Sequence, residues 1–135
     1  MEGWRRLNGF RLRSGMDKEK RKYARLDLAL ELSFERQGPG AVLRGKGTTK
    51  NLSAQGLCFS APVPLGVGER VKVNLLLPEG REISFDSRVK WVKAVNSTVH
   101  EIGVEISEIS LEDQNRYLLF ICDLMYDRLK SLRLF

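Results

Sequence analysis

The residues best suited to binding an anion lie in one basic segment, Lys20-Arg21-Lys22-Tyr23-Ala24-Arg25. Arg21 and Arg25 are four positions apart in it. A guanidinium group is a planar fork of donors that can bind a phosphate with two hydrogen bonds, grip the O6/N7 edge of guanine, or stack on a base. Lysine supplies charge without the fork or the plane. The pattern suits a phosphate or purine ligand, and it is also typical of a solvated basic linker.

A second polar cluster, Asn51-Leu52-Ser53-Ala54-Gln55-Gly56, lies between two segments that resemble strands. Asn51 and Ser53 offer short donors and acceptors in a turn. Gly56 permits either close approach of another group or a positive φ. Taken alone, the cluster is typical of an ordinary polar turn.

Enzymatic and metal-dependent chemistry find little support in the sequence. The single histidine, His100, falls where a turn meets a strand, and no nucleophile-elbow sequence accompanies it. Residues 40–47 approach the phosphate-loop pattern, but the pattern ends in Gly47 where a Ser or Thr is needed to bind Mg²⁺. Cys58 and Cys122 show no metal-ligand spacing with His100. We therefore expect no catalytic residue, no metal site and a protein that is not an enzyme.

The positive charge is concentrated at one end of the chain. The net charge of +6 is carried by residues 1–25, with nine basic and three acidic side chains, because residues 26–135 hold 14 of each. A protein that tracks long nucleic acid usually places basic residues on a folded face as well, so a short anionic partner fits better. The sequence contains no apolar run of membrane-spanning length and no secretory signal. We expect a cytoplasmic protein whose cysteines are reduced.

Alternation of apolar and polar residues predicts an all-β domain that must position the two clusters. Six strands are expected, at residues 26–34, 41–52, 56–61, 70–77, 83–95 and 99–106. In the fifth strand we expect one inward face, made of Ile83, Phe85, Ser87, Val89 and Trp91. Six short antiparallel strands joined by turns are typical of a barrel or sandwich.

The hydrophobic period changes to that of a helix after residue 107. Ser110 is a suitable N-cap, and acids follow it in the first turn. A helix over residues 110–133 is predicted to pack on the sheet through Leu118, Ile121, Cys122, Met125, Leu129 and Leu132. A second apolar surface, for a homodimer or a protein partner, is expected from Phe120, Leu124, Leu134 and Phe135.

In this order, the two clusters resemble the PilZ domain family: an RxxxR arm, then, about 25 residues later, an [D/N]xSxxG turn in an all-β chain. The resemblance covers residues 17–125. Further short motifs agree in order, namely Gly66-Val67-Gly68-Glu69, Pro78-Glu79-Gly80, Val89-Lys90-Trp91 and Ile102-Gly103-Val104.

The resemblance implies a six-stranded antiparallel β-barrel with a C-terminal α-helix, and a receptor for the bacterial second messenger cyclic di-GMP. It implies that Arg21 and Arg25 hold guanine and phosphate from the arm. Asn51, Ser53 and Gly56 would hold the other guanine from the barrel. Lys20 occupies the position at which family members differ in binding one ligand or a stacked pair, so the stoichiometry stays open.

These expectations divide the chain into a flexible basic extension (residues 1–16), a ligand-binding arm (17–25), a barrel (26–107) and a helix (110–133). Residues 1–15 are an optional extension, the product of a misassigned start upstream of Met16, or a basic anchor. The expected function is that of a non-enzymatic cyclic di-GMP receptor and signalling adaptor. The ligand would clamp the arm onto the barrel and alter a surface for an unidentified downstream protein. The alternatives are a ligand-independent PilZ-like adaptor and a small-barrel nucleic-acid-binding protein; the latter is disfavoured because aromatic residues form only 8% of the chain.

Overall fold

The protein is described by a computed structural model that covers residues 25–38 and 42–132. Within these ranges, seven strands precede one helix. The strands are β1 (Leu26–Asp27), β2 (Glu31–Gln37), β3 (Leu43–Ser53), β4 (Gly56–Ala61), β5 (Arg70–Leu76), β6 (Glu82–Ala94) and β7 (His100–Ile109), and the helix is α1 (Leu111–Ser131).

The strands form one closed antiparallel sheet. Their order is β1-β3-β2-β5-β6-β7-β4, and β4 returns to pair with β3. The two-residue β1 and the longer β2 lie one after the other along β3. The prediction of a six-stranded antiparallel barrel with a C-terminal helix is therefore confirmed, and β1 is a short addition to it.

The barrel is filled by the inward face of each long strand. Val71, Val73 and Leu75 of β5, for example, are fully buried, as their alternation predicts. The Phe34 and Phe59 rings meet in the core with centroids 5.4 Å apart. Each large apolar side chain removed from water in this way stabilises the fold by about 1.5–3 kcal/mol. The core therefore supplies the rigid scaffold on which polar residues of the outer face are placed.

The prediction of one continuous strand over residues 26–34 is wrong, because the chain leaves the sheet between Asp27 and Glu31. The side chain of Thr49 in β3 bridges the gap. Its Oγ1 accepts a hydrogen bond from the Leu30 amide at 2.7 Å and donates one to the Leu28 carbonyl at 2.6 Å. The Thr49 hydroxyl therefore replaces ladder hydrogen bonds where β1 and β2 are discontinuous. The other five predicted strands are present, with ends that differ by at most three residues.

Helix α1 begins as predicted, since Ser110 Oγ accepts a hydrogen bond from the Asp113 amide at 3.2 Å. Its buried residues are Gln114, Tyr117, Leu118 and Ile121. No helix within the described ranges is both long and apolar enough to cross a bilayer.

The two predicted apolar faces of the helix are partly wrong. Phe120 and Leu124, expected on a second outer surface, are half-buried against the core. Leu129 and Leu132, expected against the barrel, are exposed. A helix of 21 residues is about 31 Å long, and its residues from Tyr126 onward are exposed. The exposed apolar residues are Leu111, Leu119, Tyr126, Leu129 and Leu132; Leu134 and Phe135 lie outside the described residues.

Replacing Thr49 by valine should lower the free energy of unfolding by about 2–3 kcal/mol. The shape is kept, but the Leu30 amide and the Leu28 carbonyl lose their partner, and an unsatisfied buried polar group costs about 1–3 kcal/mol. Urea unfolding followed by circular dichroism measures the change. Thr48→Val, at the exposed neighbouring position, is the matched control and should stay within about 0.5 kcal/mol of the parent. Equal losses in the two variants would contradict the bridging role of Thr49.

Candidate functional site

A β-bulge in β3 turns Asn51 to the outside of the barrel. Thr49 pairs with Phe59 of β4, whereas Asn51 pairs with the next residue, Cys58, so Lys50 is an extra residue in the ladder. Side chains alternate between the two faces of a strand, and one inserted residue reverses the alternation beyond it. Thr49 therefore stays inside, and Asn51 and Ser53 lie outside.

A second bulge, in β6, does the same for Trp91. Val89 pairs with Val104 of β7, and Trp91 pairs with Gly103, which leaves Lys90 as the extra residue. The prediction that Trp91 shares the inward face of Val89 is therefore wrong. Val89 is buried in the core, whereas Trp91 is half-exposed on the outer surface, because the bulge reverses the alternation between them.

Small residues between these bulges create a depression. Asn51, Cys58, Gly103 and Trp91 form one row across β3, β4, β7 and β6. A Cβ atom on Gly103 would lie 2.1 Å from Nε1 of the Trp91 indole, so the ring rests directly on the glycine backbone. A Cβ atom on Gly56 would lie 2.1 Å from the Val104 carbonyl oxygen. Gly56 is thus required for close approach and not for a positive φ.

This depression is a cavity of about 130 Å³, which we call the site cavity. It brings together four of the six predicted ligand-binding residues: Arg25, Asn51, Ser53 and Gly56. Lys20 and Arg21 lie outside the described residues, as do the extension and the rest of the arm. The structure adds residues that the sequence did not assign to the site, namely Gln55, Leu57, Lys90, Trp91, Gly103, Val104 and Glu105.

The turn between β3 and β4 is held in place by hydrogen bonds from three directions. The Gln55 amide donates to Ser53 Oγ at 3.4 Å, within the turn itself. The Gln55 carbonyl accepts from the Ile106 amide at 2.9 Å. The Tyr117 hydroxyl of α1 donates to the Ser53 carbonyl at 2.5 Å. Among the described residues the Asn51 amide group has no hydrogen-bond partner, so its donors and acceptor are available to a ligand.

The charges around the site cavity are nearly balanced on the barrel side. The Lys90 ammonium lies 3.4 Å from the Glu105 carboxylate. Nearby, the Lys50 ammonium lies 2.6 Å from the Glu101 carboxylate, which raises the pKa of Lys50 through a hydrogen bond and its charge. The described lining contains two basic residues, Arg25 and Lys90, and one acidic residue, Glu105, and is therefore net positive.

Cys58 lies in the row beneath the cavity and is buried, whereas Cys122 of α1 is half-buried; both are free thiols. Burial raises the pKa of the Cys58 thiol to about 11, with the nearby Glu101 carboxylate as a second cause. The thiol is therefore neutral at physiological pH. Within the described ranges, no three His, Cys, Asp or Glu side chains are grouped as a metal site would require.

A larger groove of about 520 Å³ lies elsewhere on the barrel, lined in part by Ser33, Lys46, Thr48 and Asn74. It contains none of the predicted site residues. Volume alone would favour this groove. The smaller cavity is the candidate site because it brings together Arg25, Asn51 and Ser53, whose donors suit an anion and a purine.

One signal in the sequence could have identified the outward Trp91. A glycine inside a strand pattern, such as Gly103, often marks a bulge or a close approach of another group. The contribution of Tyr117 has no comparable signal, because a tyrosine in an apolar helical stripe predicts core packing alone.

The sequence matches a known protein family. Residues 19–121 match the family model described as PilZ domain. No curated protein matches the sequence significantly.

Solved structures share the fold. The Bacillus subtilis inhibitor of motility MotI/DgrA is 23% identical, with a TM-score of 0.63 over 81% of this chain and 52% of that one. The MrkH–c-di-GMP complex of K. pneumonia is 21% identical, with a TM-score of 0.66 over 84% and 55%. The PilZ domain of Escherichia coli YcgR with c-di-GMP is 14% identical, with a TM-score of 0.62 over 87% and 100%. The chain thus spans about half the length of the first two proteins, and identities this low establish the fold alone.

A methyl group at Gly103 should displace the Trp91 indole and lower the free energy of unfolding by about 1–3 kcal/mol through overpacking. Fluorescence of Gly103→Ala, made in a Trp4→Phe background so that Trp91 alone reports, should shift to longer wavelength. Gly66→Ala is the control, because a methyl group there would meet only the flexible Glu69 side chain, at 3.2 Å. An unshifted Trp91 emission in Gly103→Ala would show that the ring does not rest on this glycine.

The two cysteines should differ in reactivity. At pH 8 a thiol with a pKa near 11 is ionised to only about one part in a thousand, and Cys58 is also shielded from solvent. We expect a thiol-specific reagent to modify Cys122 first and Cys58 only as the protein unfolds, as mass spectrometry of digested samples would measure. Modification of Cys58 as fast as Cys122 in the native protein would contradict its burial.

Proposed function

Because the chain belongs to the PilZ domain family, we propose that it is a non-enzymatic receptor for cyclic di-GMP. The observation that carries the proposal is the convergence of Arg25 with Asn51, Ser53 and Gly56 on one cavity, although Arg25 is distant from the others in sequence. Cyclic di-GMP has two phosphates and two guanines. The guanidinium fork suits phosphate or the guanine edge, and the Asn51 amide suits a base edge.

The size of the site cavity indicates how the ligand would be shared. Pockets that bury a whole drug-sized ligand usually enclose about 300–1,000 Å³. A cavity of about 130 Å³ can accept only part of a dinucleotide, such as one base. The half-exposed Trp91 borders this space and offers an aromatic plane beside it. The rest of the ligand would be covered by the arm, residues 17–25, with Lys20, Arg21 and Arg25 around the phosphates.

The charge distribution also supports a ligand shared between the arm and the barrel. The barrel side of the cavity pairs Lys90 with Glu105 and therefore presents little net charge. Attraction of an anion then depends on the arginines of the arm, which carries the excess positive charge of the sequence. We infer that the arm selects for an anionic ligand and that the barrel selects for a base.

Two structural neighbours, MrkH and the PilZ domain of YcgR, have c-di-GMP bound. For this chain we extend the proposal to a signalling role, in which ligand clamps the arm onto the barrel and alters a surface for a partner. The exposed apolar side of α1, with Leu119 and Leu129, is the surface we favour for a downstream protein or a second copy. A cytoplasmic location belongs to the same proposal, since the Cys58 thiol would remain reduced there.

Isothermal titration of the full chain with cyclic di-GMP tests the receptor function. We expect binding in the micromolar range or tighter and none to GTP. Arg25→Ala and Arg21→Ala should each weaken binding by ~30-fold or more, because charge-assisted bidentate contacts are strong. Asn51→Ala should weaken it from the barrel side.

Arg44→Ala is the matched control, since it removes the same charge from an exposed position on β3 where Arg44 pairs with Glu35. It should bind as the parent does. Unchanged affinity in both Arg25→Ala and Asn51→Ala would refute the assigned site, and absence of binding by the parent chain would refute the receptor function.

A further inference from the structure

A buried hydroxyl group of the C-terminal helix is hydrogen-bonded to the turn of the proposed ligand site. Tyr117 is fully buried, and its ring packs against Phe85 with centroids 6.4 Å apart. The hydroxyl lies 2.5 Å from the Ser53 carbonyl oxygen and 3.2 Å from the Gly56 carbonyl oxygen. These carbonyls flank the two-residue turn between β3 and β4. The residues on either side of that turn, Ser53 and Gly56, both belong to the proposed ligand site. Ser53 contributes a polar side chain, and Gly56 allows close approach of the backbone.

The Tyr117 hydroxyl is a donor under all physiological conditions. Burial raises the pKa of this phenol far above its usual value, so the proton is retained. The turn itself presents carbonyl oxygens toward the helix, and a buried carbonyl without a donor is destabilising. On its other side the turn is fixed by the hydrogen bond from the Ile106 amide to the Gln55 carbonyl. Loss of the phenol would therefore release one of two external supports of the turn.

The same helix also contacts the strand that follows the arm. The Arg128 guanidinium donates a hydrogen bond to the carbonyl of Asp27, two residues after Arg25. Helix α1 consequently joins the two parts of the proposed site, with Tyr117 on the turn and Arg128 beside the base of the arm. Either contact by itself could be incidental to packing. Together they connect the helix both to the β3–β4 turn and to the segment next to Arg25, which the ligand would bridge.

The docking of the helix on the barrel is of a strength that a ligand could alter. Four of its 21 residues are buried, and Phe120, Leu124 and Met125 are half-buried against the core. One of the buried residues, Gln114, has a side-chain nitrogen without a hydrogen-bond partner among the described residues, and an unsatisfied buried amide opposes docking. Local opening of such an element is coupled to any ligand that favours the closed form.

We propose that Tyr117 is a positioning residue for the ligand site and that, through it, occupancy of the site is coupled to the docking of helix α1. The proposal rests on the cyclic di-GMP receptor function proposed above. A docked helix holds the turn in the geometry that the ligand needs, and the ligand in return stabilises the docked helix. Coupling of this kind is reciprocal, so it can be measured from either end.

A purely structural Tyr117 would behave differently. If the ring served only to fill the core, removing its hydroxyl would leave ligand affinity unchanged, because the phenyl group and its contact with Phe85 remain. The variant Tyr117→Phe therefore separates the two roles. Tyr126→Phe is its matched control, since it removes a tyrosine hydroxyl from the same helix at an exposed position.

Hydrogen–deuterium exchange with and without saturating cyclic di-GMP, combined with titration, tests the coupling. In the parent chain the ligand should slow exchange about fivefold or more in the turn (residues 54–57) and also in the helix (residues 114–121). In Tyr117→Phe the ligand should still protect the turn, whereas protection of the helix should fall below about twofold. The dissociation constant should rise about five- to tenfold, as expected for the loss of one buried hydrogen bond. Tyr126→Phe should match the parent.

Two results would overturn the proposal: helix exchange in the parent chain that does not respond to ligand, or a Tyr117→Phe variant that keeps both parental affinity and helix protection. Failure of the receptor function is recognised separately, because the parent chain would then show no binding. In that case the free proteins decide whether Tyr117 supports the turn. Faster exchange at residues 54–57 in Tyr117→Phe than in the parent and in Tyr126→Phe supports that role, and equal exchange refutes it.

Discussion

In a closed β-barrel the side chain of each strand residue points either into the core or out to solvent. Paired residues on neighbouring strands must point the same way. Residues directly opposite each other on antiparallel strands share a face, so the side-chain orientation in one strand determines the orientation of the residues paired with it. Two inserted lysines, Lys50 in β3 and Lys90 in β6, change that direction partway along their strands. In β3, for example, Thr49 before the bulge and Leu52 after it are both buried. Every property of the site cavity depends on this reversal, because it places Asn51 and Trp91 outside.

The reversal produces a cavity only because the residues between these two side chains are small. Cys58 and Gly103 lie between Asn51 and Trp91 in the same row, and any large side chain there would fill the space. The barrel side of this depression carries little net charge, because Lys90 and Glu105 offset each other. Base recognition is compatible with such a surface, whereas attraction of an anion requires charge from elsewhere. In the proposed receptor, the arginines of the arm would supply this charge.

The sequence was sufficient for five of the six predicted strands, the C-terminal helix and its Ser110 cap, because these depend on local alternation and local capping. Its failures have a common origin in contacts between distant segments. The outward direction of Trp91 depends on the register between β6 and β7, and the gap after Asp27 depends on the Thr49 hydroxyl of another strand. Neither is encoded in the period of a single segment. The grouping of Arg25 with Asn51 was suggested by the family resemblance, and spacing alone does not predict it.

The turn between β3 and β4 shows why a short motif is insufficient to define a binding site. Its polar residues fit an ordinary turn equally well, and Ser53 Oγ indeed accepts a local hydrogen bond from Gln55. What distinguishes it is support from outside, by Ile106 of β7 and Tyr117 of α1. A turn held in this way needs little further ordering when a ligand arrives, and preorganised contacts lose less free energy on binding. The residues that hold this turn in place therefore lie 50 or more positions away from it in sequence, on β7 and α1.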